Sequence, residues 1–359
     1  MSTKLRVAVI GAGIANRHLT AFARLPELFE VAVICSVKDP RMAELAAKYG
    51  IAGTTDDFAE VLAMRDVDAI DICTPPDLHF DMAARAIEVG KDVICEKPLF
   101  GSVAAVDEIA RLLEAKGRRL MPIFQYRFGN GLQKLKHLIA LQLTGKAYVS
   151  TIETHWTRDA DYYAVPWRGK WRTELGGCLL GHAIHAHDML NYVLGPCESV
   201  SAFAATRVNP IEVEDCAAVA VRMQDGSLAT LSTTLGSSGE ISRLRFCFEK
   251  LTAESSLDPY TPSREPWTFT AHTPQLQKEI DAVLAAYQAQ SEGYTRQFEL
   301  FHQAVSEGAP LPVTLEDAKA SLELITAMYH SAETGAPVAF PITADHPKYR
   351  SWLPSGIAA

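Results

Sequence analysis

A glycine-rich turn near the start of the chain constrains the fold more than any other feature. The apolar run Arg6–Ile10 leads into "GAGIAN", which holds Gly11 and Gly13, and a helical pattern follows from Arg17. This order is typical of a dinucleotide-binding unit, in which the first glycine permits a tight turn and the second admits a pyrophosphate to the helix N-terminus. Asn16 replaces the third glycine of the usual pattern. That glycine mainly permits close packing of the helix on the strand, so we expect its replacement to change this packing more than the phosphate contact. We therefore expect the turn to bind a dinucleotide, with a plain structural turn as the alternative. The expected contacts are Gly11, Gly13, Ile14 and Ala15.

The first third of the chain alternates between short apolar runs and helical patterns. Strands that are apolar along their whole length, separated by helices, indicate a parallel sheet covered on both faces. The sequence therefore predicts an α/β fold with an N-terminal Rossmann domain, a doubly wound parallel sheet. The predicted strands are Arg6–Ile10, Val31–Cys35, Ala69–Cys73, Val93–Cys95 and Leu120–Pro122.

The pattern changes after Phe124, where several strand-like runs follow one another. Strands in succession favour a C-terminal α+β domain with an open, mostly antiparallel sheet. Late helices are expected around Leu276–Gln303 and Leu315–Thr334, the second packing on the first domain. A chain of 359 residues is long enough for two cores. We expect a dinucleotide-binding domain over residues 1–124, a substrate-binding and oligomerisation domain over 125–345 and a C-terminal tail over 346–359.

Composition excludes several classes of function. The chain has 43 acidic and 34 basic residues, a formal charge of −9, so we expect neither nucleic acid nor a membrane as a partner. No signal peptide or apolar run near the ~20 residues of a membrane span is present in the sequence. The seven cysteines form no C-x-x-C pair. They indicate reduced thiols and a cytoplasmic protein.

The end of the second strand bears on which dinucleotide is bound. Ser36 stands where a ribose-binding carboxylate is usual, and Lys38 and Arg41 follow it. A small hydroxyl with two cations nearby accommodates the additional phosphate of NADP. Asp39 can instead reach the ribose of NAD, and the two cations can also be plain surface charges. We expect NAD or NADP, and the pattern slightly favours NADP.

The stretch "VICEKPLFG" places Glu96, Lys97 and Pro98 directly after an apolar strand. Ligands of open α/β sheets bind beyond the carboxyl ends of the strands, where this lysine emerges. Partial desolvation beside a positively charged nicotinamide lowers the pKa of a lysine, which can then exchange a proton with a substrate hydroxyl. The alternative is an ordinary solvated lysine.

A histidine cluster occurs in "GGCLLGHAIHAHDML". At helical spacing His185 and Asp188 share one face, which His182 can join, whereas His187 points elsewhere. The cluster lacks the third ligand and the H-E-x-x-H pattern of a hydrolytic zinc site, so we expect no metal. Histidines packed in the core are the other alternative.

Aromatic and basic residues are dense in "YYAVPWRGKWRTELGG", just before the cluster. Such residues can stack on a sugar-like ring and donate to its hydroxyls, or they can cover apolar surface. The candidate substrate-binding residues are Tyr126, Trp167, Arg168, Arg172, His182 and Asp188.

Taken together, the glycine turn, "TPPDLH" at Thr74–His79, "EKP" and the histidine cluster resemble the Gfo/Idh/MocA family of glucose-fructose oxidoreductase and inositol dehydrogenase relatives. The resemblance covers nearly the whole chain. It implies that Lys97 is catalytic and that the second domain mediates assembly into a homo-oligomer, a dimer or tetramer. It also implies cofactor contacts at Thr74, Pro75, Pro76, His79, Glu96 and Lys97.

The resemblance extends to His185 and Asp188, with one departure. The family often has an aspartate four residues before the histidine, and this chain has Gly181 there. The expected activity is hydride transfer between a sugar, polyol or related cyclic substrate and NAD(P), with Lys97 accepting the hydroxyl proton and His185 orienting and sharing it. The alternatives are a lyase or glycosidase that retains NAD(H), and a non-catalytic dinucleotide-binding regulator, which Gly181 favours and Lys97 with His185 disfavours.

Overall fold

The computed structural model describes residues 4–37, 39–354 and 356–357. Lys38, predicted to lie near the cofactor, falls outside the described residues. The chain forms two compact units: the first runs to Ile123 and includes Tyr294–Ala318, and the second comprises Phe124–Gly293 and the chain from Lys319 onward. No helix among the described residues is long and apolar enough to cross a membrane.

The first unit contains a sheet of six parallel strands in the order β3-β2-β1-β4-β5-β6. The order reverses beside β1, which is the doubly wound topology predicted from the sequence. The strands are β1 Leu5–Ile10, β2 Phe29–Cys35, β3 Gly53–Thr55, β4 Ala69–Ile72, β5 Asp92–Cys95 and β6 Leu120–Pro122. The helices between them are α1 Ala15–Ala23, α2 Arg41–Tyr49, α3 Phe58–Ala63, α4 His79–Glu88 and α5 Val103–Lys116.

Local signals account for the ends of several of these helices. The side chains of Asp57 and Ser102 accept hydrogen bonds from backbone amides in the first turns of α3 and α5. Helices α2 and α5 end at Gly50 and Gly117, whose φ angles of 66° and 60° lie in the left-handed region. These caps define where α3 and α5 begin and where α2 and α5 end.

The second unit contains an eight-stranded sheet in the order β13-β12-β11-β7-β10-β9-β8-β14. Strand β10 pairs with β7 in parallel, and the other pairs are antiparallel, as predicted. The strands are β7 Ala147–Thr157, β8 Cys197–Ala205, β9 Cys216–Met223, β10 Leu228–Thr234, β11 Gly236–Phe248, β12 Leu251–Glu254, β13 Thr268–Ala271 and β14 Val338–Ala339. The later helices are α6 Asn130–Ala140, α7 Ala160–Tyr163, α8 Trp171–Glu174, α9 Ile184–Leu194, α10 Pro274–Ala286, α11 Gly293–Glu307 and α12 Leu315–Thr334.

The late helices differ from the prediction in one respect. The expected helix over 276–303 is two helices, because the chain turns extended at Tyr287 after α10 and restarts at Gly293, whose φ is 62°. The segment belonging to the first unit is Tyr294–Ala318, which includes most of α11, whereas α12 lies in the second unit from Lys319 onward. The packing of α12 on the first domain stays a prediction.

Candidate active site

The two glycines of the first turn have different surroundings. Gly11 has a φ of 100°, and a Cβ atom there would lie 2.6 Å from the carbonyl oxygen of Cys73. A Cβ atom at Gly13 would meet no described atom within 4 Å. The N-cap residue of α1, Ile14, provides no side-chain cap for the first amides of the helix. Gly11 thus serves the fold, while Gly13 and the N-terminus of α1 leave space and N–H groups for an anion.

Asn16, which replaces the third glycine, has side-chain contacts with the second helix. Its exposed side chain accepts hydrogen bonds from Lys48 Nζ at 2.8 Å and Tyr49 Oη at 3.0 Å. Both donors lie on α2, so the Asn16 side chain joins α1 to α2.

The chain after β2 contains an ion pair. The guanidinium of Arg41 donates to both carboxylate oxygens of Asp39, at 2.9 and 2.6 Å. This hydrogen bonding lowers the pKa of Asp39. Ser36 is half-buried, and its amide donates to the carbonyl of Thr55 at 3.1 Å. Asp39 is therefore turned toward Arg41 in the structure.

His79 joins the loops that follow β4 and β5. Its ring nitrogens lie 2.9 Å from the carbonyl oxygens of Thr74 and Pro98. The side chain is 1% exposed, and burial lowers the pKa of His79, so the ring is neutral and donates to one carbonyl at a time. Pro75 precedes the short helical turn that starts at Pro76. His79 thus braces the "TPP" loop against the "EKP" turn.

Lys97 follows β5 and is half-buried, whereas the preceding Glu96 is buried. The Glu96 carboxylate accepts the backbone N–H of Lys97 at 3.0 Å, Tyr294 Oη–H at 2.8 Å and His18 Nε2–H at 2.9 Å. Asp71 accepts from the other ring nitrogen of His18. His18, Asp71 and Tyr294 were not predicted from the sequence, although an aspartate inside the apolar run "AIDIC" indicates that it has a buried partner.

In the second unit, His185 on α9 is held by aromatic rings. The ring of Tyr126 stacks on the imidazole with centroids 4.3 Å apart and planes 18° apart, and Phe124 meets its edge at 6.1 Å. Tyr126 lies on the helical turn Gln125–Phe128. The structure therefore brings together two of the predicted site residues and fixes the plane of the imidazole.

Asp188 lies about one helical turn after His185 and is bound by Arg127. The guanidinium donates to both carboxylate oxygens at 2.8 and 2.6 Å, and the two side chains are 4% and 1% exposed. Both oxygens of Asp188 therefore bind Arg127 in a bidentate, charge-assisted pair. That Asp188 is a substrate ligand stays a prediction, and nothing in the sequence pattern indicated its pair with Arg127.

His182 belongs to a second cluster, with Tyr162, Arg168 and Trp167. Its Nε2 atom lies 3.1 Å from Tyr162 Oη, and the guanidinium of Arg168 lies 3.7 Å from the centre of the Tyr162 ring. The same guanidinium lies 5.2 Å from the Trp167 ring. Three predicted substrate-binding residues thus meet around one tyrosine, whereas Arg172 is exposed on α8.

His187 is separate from both clusters, as its spacing predicted. It is fully buried, and burial lowers the pKa of His187 to about 3. Among the described residues neither ring nitrogen has a hydrogen-bond partner. The ring is a neutral packed side chain.

A carboxylate lies beside Gly181, at the position where the family often has an acid. Glu174, the last residue of α8, is 4% exposed, and its Oε1 atom lies 3.6 Å from the position that a Cβ atom on Gly181 would occupy. Its Oε2 atom accepts the backbone N–H of Gly169 at 2.5 Å. Sequence reasoning missed Glu174, because seven positions separate it from residue 181 and only the folded turn brings them together.

The turn that carries His182 is anchored by another buried acid. Glu214 accepts the amides of Gly177 and Leu179 at 3.1 and 3.0 Å and Tyr329 Oη–H at 3.0 Å. Burial raises the pKa of Glu214 to about 7. The anchored turn is the π-helical segment Cys178–His182, which leads into α9.

A parallel sheet with a glycine turn, a lysine beyond a strand end and a second, mostly antiparallel sheet define a two-domain, dinucleotide-binding oxidoreductase. The chain belongs to the Gfo/Idh/MocA oxidoreductase family: residues 5–124 match its NAD-binding Rossmann fold and residues 144–340 its C-terminal alpha/beta domain.

The chain is also similar in sequence and in structure to known dehydrogenases. The chain is 28% identical to D-glucoside 3-dehydrogenase of Escherichia coli K12, over 94% of this chain and 98% of the relative. It is 28% identical to myo-inositol 2-dehydrogenase of Thermotoga maritima, over 64% of this chain and 68% of the relative. The crystal structure of the WlbA dehydrogenase from Bordetella pertussis, in complex with NADH and UDP-GlcNAcA, superposes with a TM-score of 0.84 at 25% identity, covering 95% of this chain and 100% of that one.

Proposed function

We propose that this oxidoreductase is an NAD(P)-dependent dehydrogenase acting on a hydroxyl-bearing carbon of a sugar, a polyol or a related cyclic substrate. The observation that carries the proposal is Lys97, half-buried after β5 of an NAD-binding domain, with its backbone N–H held by a buried carboxylate. Relatives named for a glucoside and an inositol support the substrate class.

In this proposal Lys97 accepts the substrate hydroxyl proton as hydride leaves the same carbon. When bound, the nicotinamide supplies the hydride acceptor. Gly13 and the N-terminus of α1 hold the pyrophosphate, with Ile14, Ala15, Thr74, Pro75 and Pro76 beside the cofactor. His185 orients the hydroxyl and shares its proton, and stacking on Tyr126 keeps the imidazole in one plane. His79 holds the two loops together.

The remaining polar groups are assigned to substrate binding. We propose that Trp167, Arg168 and His182 contact the ring and its hydroxyls, with Arg172 at the edge. Glu174 is proposed to supply the carboxylate that position 181 lacks, which is supported by its oxygen 3.6 Å from the Gly181 Cβ position. Asp188 contributes by anchoring Arg127.

For the cofactor we propose a preference for NADP, supported by Ser36 in place of an acid and by Arg41 nearby. Arg41 must then share its guanidinium between Asp39 and the 2′-phosphate. Arg41→Ala is expected to weaken NADPH binding about tenfold, about 1.4 kcal/mol, and to leave NADH binding unchanged, as measured by nucleotide fluorescence. Asp39→Asn should strengthen NADPH binding. An unchanged ratio of the two dissociation constants in both variants would show that this ion pair does not select the cofactor.

Three further assignments are proposals of the same kind. The chain divides into functional segments at 1–124, 125–345 and 346–359, it assembles into a homo-oligomer, and it resides in the cytoplasm. The cytoplasmic assignment is supported by its seven free thiols, five of them buried. The negative formal charge of −9 supports partners that are small molecules, with neither nucleic acid nor membrane among them.

The test is reduced-nicotinamide absorbance with NAD and NADP separately, across inositols, aldoses, sugar acids and anhydrosugars. Lys97→Ala should lower turnover about 10²-fold or more with cofactor binding retained, and the exposed-lysine variant Lys116→Ala should match the parent chain. Full turnover in Lys97→Ala would remove Lys97 from the reaction. Bond cleavage without net cofactor reduction would indicate a lyase or glycosidase that retains NAD(H), and cofactor binding without any turnover would indicate a regulator.

A further inference from the structure

A series of buried hydrogen bonds ends at the backbone of Lys97. It starts at Asp71 in β4, whose carboxylate oxygens lie 2.9 and 3.0 Å from Nδ1 of His18 on α1. The Nε2 atom of His18 lies 2.9 Å from Glu96 Oε1, which also accepts from Tyr294 on α11 at 2.8 Å. Glu96 Oε2 accepts the Lys97 amide. Side chains from β4, α1 and α11 are thus linked to Glu96, the residue before the proposed proton acceptor.

The bonding pattern determines the charges in this network. A neutral imidazole has one N–H, so His18 satisfies a carboxylate at each nitrogen only as an imidazolium. Burial opposes that charge, but the Asp71 carboxylate outweighs it and raises the pKa of His18 well above its usual value. Burial also opposes ionisation of Glu96, but the hydrogen bond and charge of His18 lower the pKa of Glu96 to about 2. One cation between two anions leaves one net negative charge.

Such a network is a poor device for stability alone. His18 and Asp71 are 0% exposed and Glu96 is 5% exposed. Removing three charges from water costs so much that well-packed apolar side chains of similar volume are often as stabilising or more so. Stability alone therefore does not explain these buried charges, and the residue at which the network ends, Lys97, indicates a functional role.

We infer that His18, Asp71 and Glu96 are positioning residues that fix the backbone of Lys97 and set the proton affinity of its side chain. The inference rests on the proposed role of Lys97 in the reaction. The negative charge of Glu96 favours the lysine ammonium, whereas the positive charge of His18 disfavours it. Removing one or the other must therefore move the proton affinity of Lys97 in opposite directions.

The other groups near the network leave this balance unchanged around neutral pH. Burial raises the pKa of the Cys73 and Cys95 thiols and of the Tyr294 phenol, and lowers the pKa of His79, so these four side chains are neutral. Arg17 on α1 is a further cation acting on Tyr294. The variants tested leave Arg17 unchanged.

Competitive labelling measures the proton affinity of Lys97 directly. The full chain without cofactor is treated with trace acetic anhydride at a series of pH values, and acetylation of the Lys97 peptide is quantified by mass spectrometry. Glu96→Gln is expected to lower the pKa of Lys97 by about one unit, and His18→Gln to raise it by a similar amount. Tyr294→Phe removes a hydrogen bond but no charge, so the pKa of Lys97 should stay unchanged. The exposed Lys278 is the internal reference.

Shifts in one direction for both charge variants, or none, would overturn the inference. The melting temperature and the dissociation constant of NADH report whether each variant is folded. If the variants do not fold, a measurement on the unmodified chain still tests the inference. In a ¹⁵N-histidine NMR spectrum, His18 should remain an imidazolium from about pH 6 to about pH 8, where an ordinary histidine titrates. Its signal is identified by its change in Tyr294→Phe, and a neutral ring at pH 7 would contradict the inference.

Kinetics separate this inference from the proposed function. With the best substrate of the panel, the acidic limb of the kcat/KM profile should move to lower pH in Glu96→Gln and to higher pH in His18→Gln. If Lys97→Ala keeps full turnover, the proposed function of Lys97 fails even where the labelling shifts are seen. If Lys97→Ala is inactive and the labelling shifts are absent, only the network inference fails.

Discussion

Gly11 and Gly13 stand two residues apart in one turn, yet a methyl group added at each meets different surroundings. At Gly11 the φ of 100° and the carbonyl of Cys73 at 2.6 Å both oppose a side chain. Gly11→Ala should therefore cost about 2 kcal/mol or more of the free energy of unfolding. Gly13→Ala projects into open space, so stability should be retained while NADH affinity falls about tenfold, because the methyl group occupies the place of the pyrophosphate.

Melting temperature and NADH fluorescence titration of the two variants check this contrast. The matched control is Gly50→Ala, which has a left-handed φ of 66° but no atom within 4 Å of its added Cβ. It should lose stability without loss of NADH affinity in the folded fraction. Unchanged NADH affinity in Gly13→Ala would show that the pyrophosphate does not approach this glycine.

At the same scale, the sequence predicted best those residues whose neighbours are close in the chain. The glycine turn and the "EKP" lysine are local patterns, and each lies after the strand where it was expected. His18, Asp71 and Tyr294 were missed, because their bonds join residues 53 and 198 positions apart. The pair of Asp188 with Arg127 was not predicted for the same reason, since the two residues are 61 positions apart.

At the scale of elements, helix α8 places the Glu174 carboxylate beside Gly181 of the turn Cys178–His182. Gly181→Asp alone places a second carboxylate beside Glu174, so like-charge repulsion should lower stability and activity. Glu174→Gln keeps an oxygen for the Gly169 amide but loses the charge, and should lower kcat about tenfold or more. In the double variant the new aspartate restores a carboxylate, so activity should recover above that of Glu174→Gln.

Steady-state kinetics on the best panel substrate check this exchange, with the melting temperature as the control for folding. Recovery in the double variant is the decisive result, since a purely structural role of Glu174 gives no reason for an acid at position 181 to help. A double variant no better than Glu174→Gln would remove Glu174 from the proposed site.

The turn itself should respond to pH through Glu214. Its folded-state pKa of about 7 lies above its usual value of 4.5, so the folded chain holds a proton that the unfolded chain has lost in this interval. Stability from this group is therefore present at low pH and declines as pH rises toward 7, by on the order of 3 kcal/mol in total. Glu214→Gln retains an acceptor oxygen and should flatten this decline in melting temperature. A parallel pH dependence in the variant would assign the decline to other groups.

Element boundaries show where local patterns were insufficient. Five strands of the first sheet were predicted, but β3 was not, because "GTT" has three residues and no apolar pattern. The helix pattern over 276–303 continued through the segment between α10 and α11, which forms no helix. Strand order came from the general topology of doubly wound sheets, whereas the membership of Tyr294–Ala318 in the first unit depends on packing that no local signal reports.

At the scale of the whole molecule, one face of the eight-stranded sheet carries exposed side chains along β8, β9 and β10. Burial alternates along β8, β9 and β10, so every second side chain points to the open side. On this open sheet face the strand register pairs Phe203 with Ala218 and Leu228 with Val149. Phe203 is 77% exposed, Leu228 49% and Val149 44%. Large exposed apolar residues on one sheet face are typical of a subunit interface.

Phe203→Glu tests the proposed homo-oligomer. A charge in the middle of a buried interface costs several kcal/mol when it is left unpaired, and in a symmetric assembly every copy of the face carries it. Light scattering after size-exclusion chromatography should show a dimer or tetramer for the parent chain and a smaller species for the variant. Val89→Glu, at an apolar position that is 51% exposed on the first unit, is the matched control and should leave the mass unchanged. A parent chain that is monomeric at micromolar concentration would refute the assembly, and an oligomer that survives Phe203→Glu would move the interface to another surface.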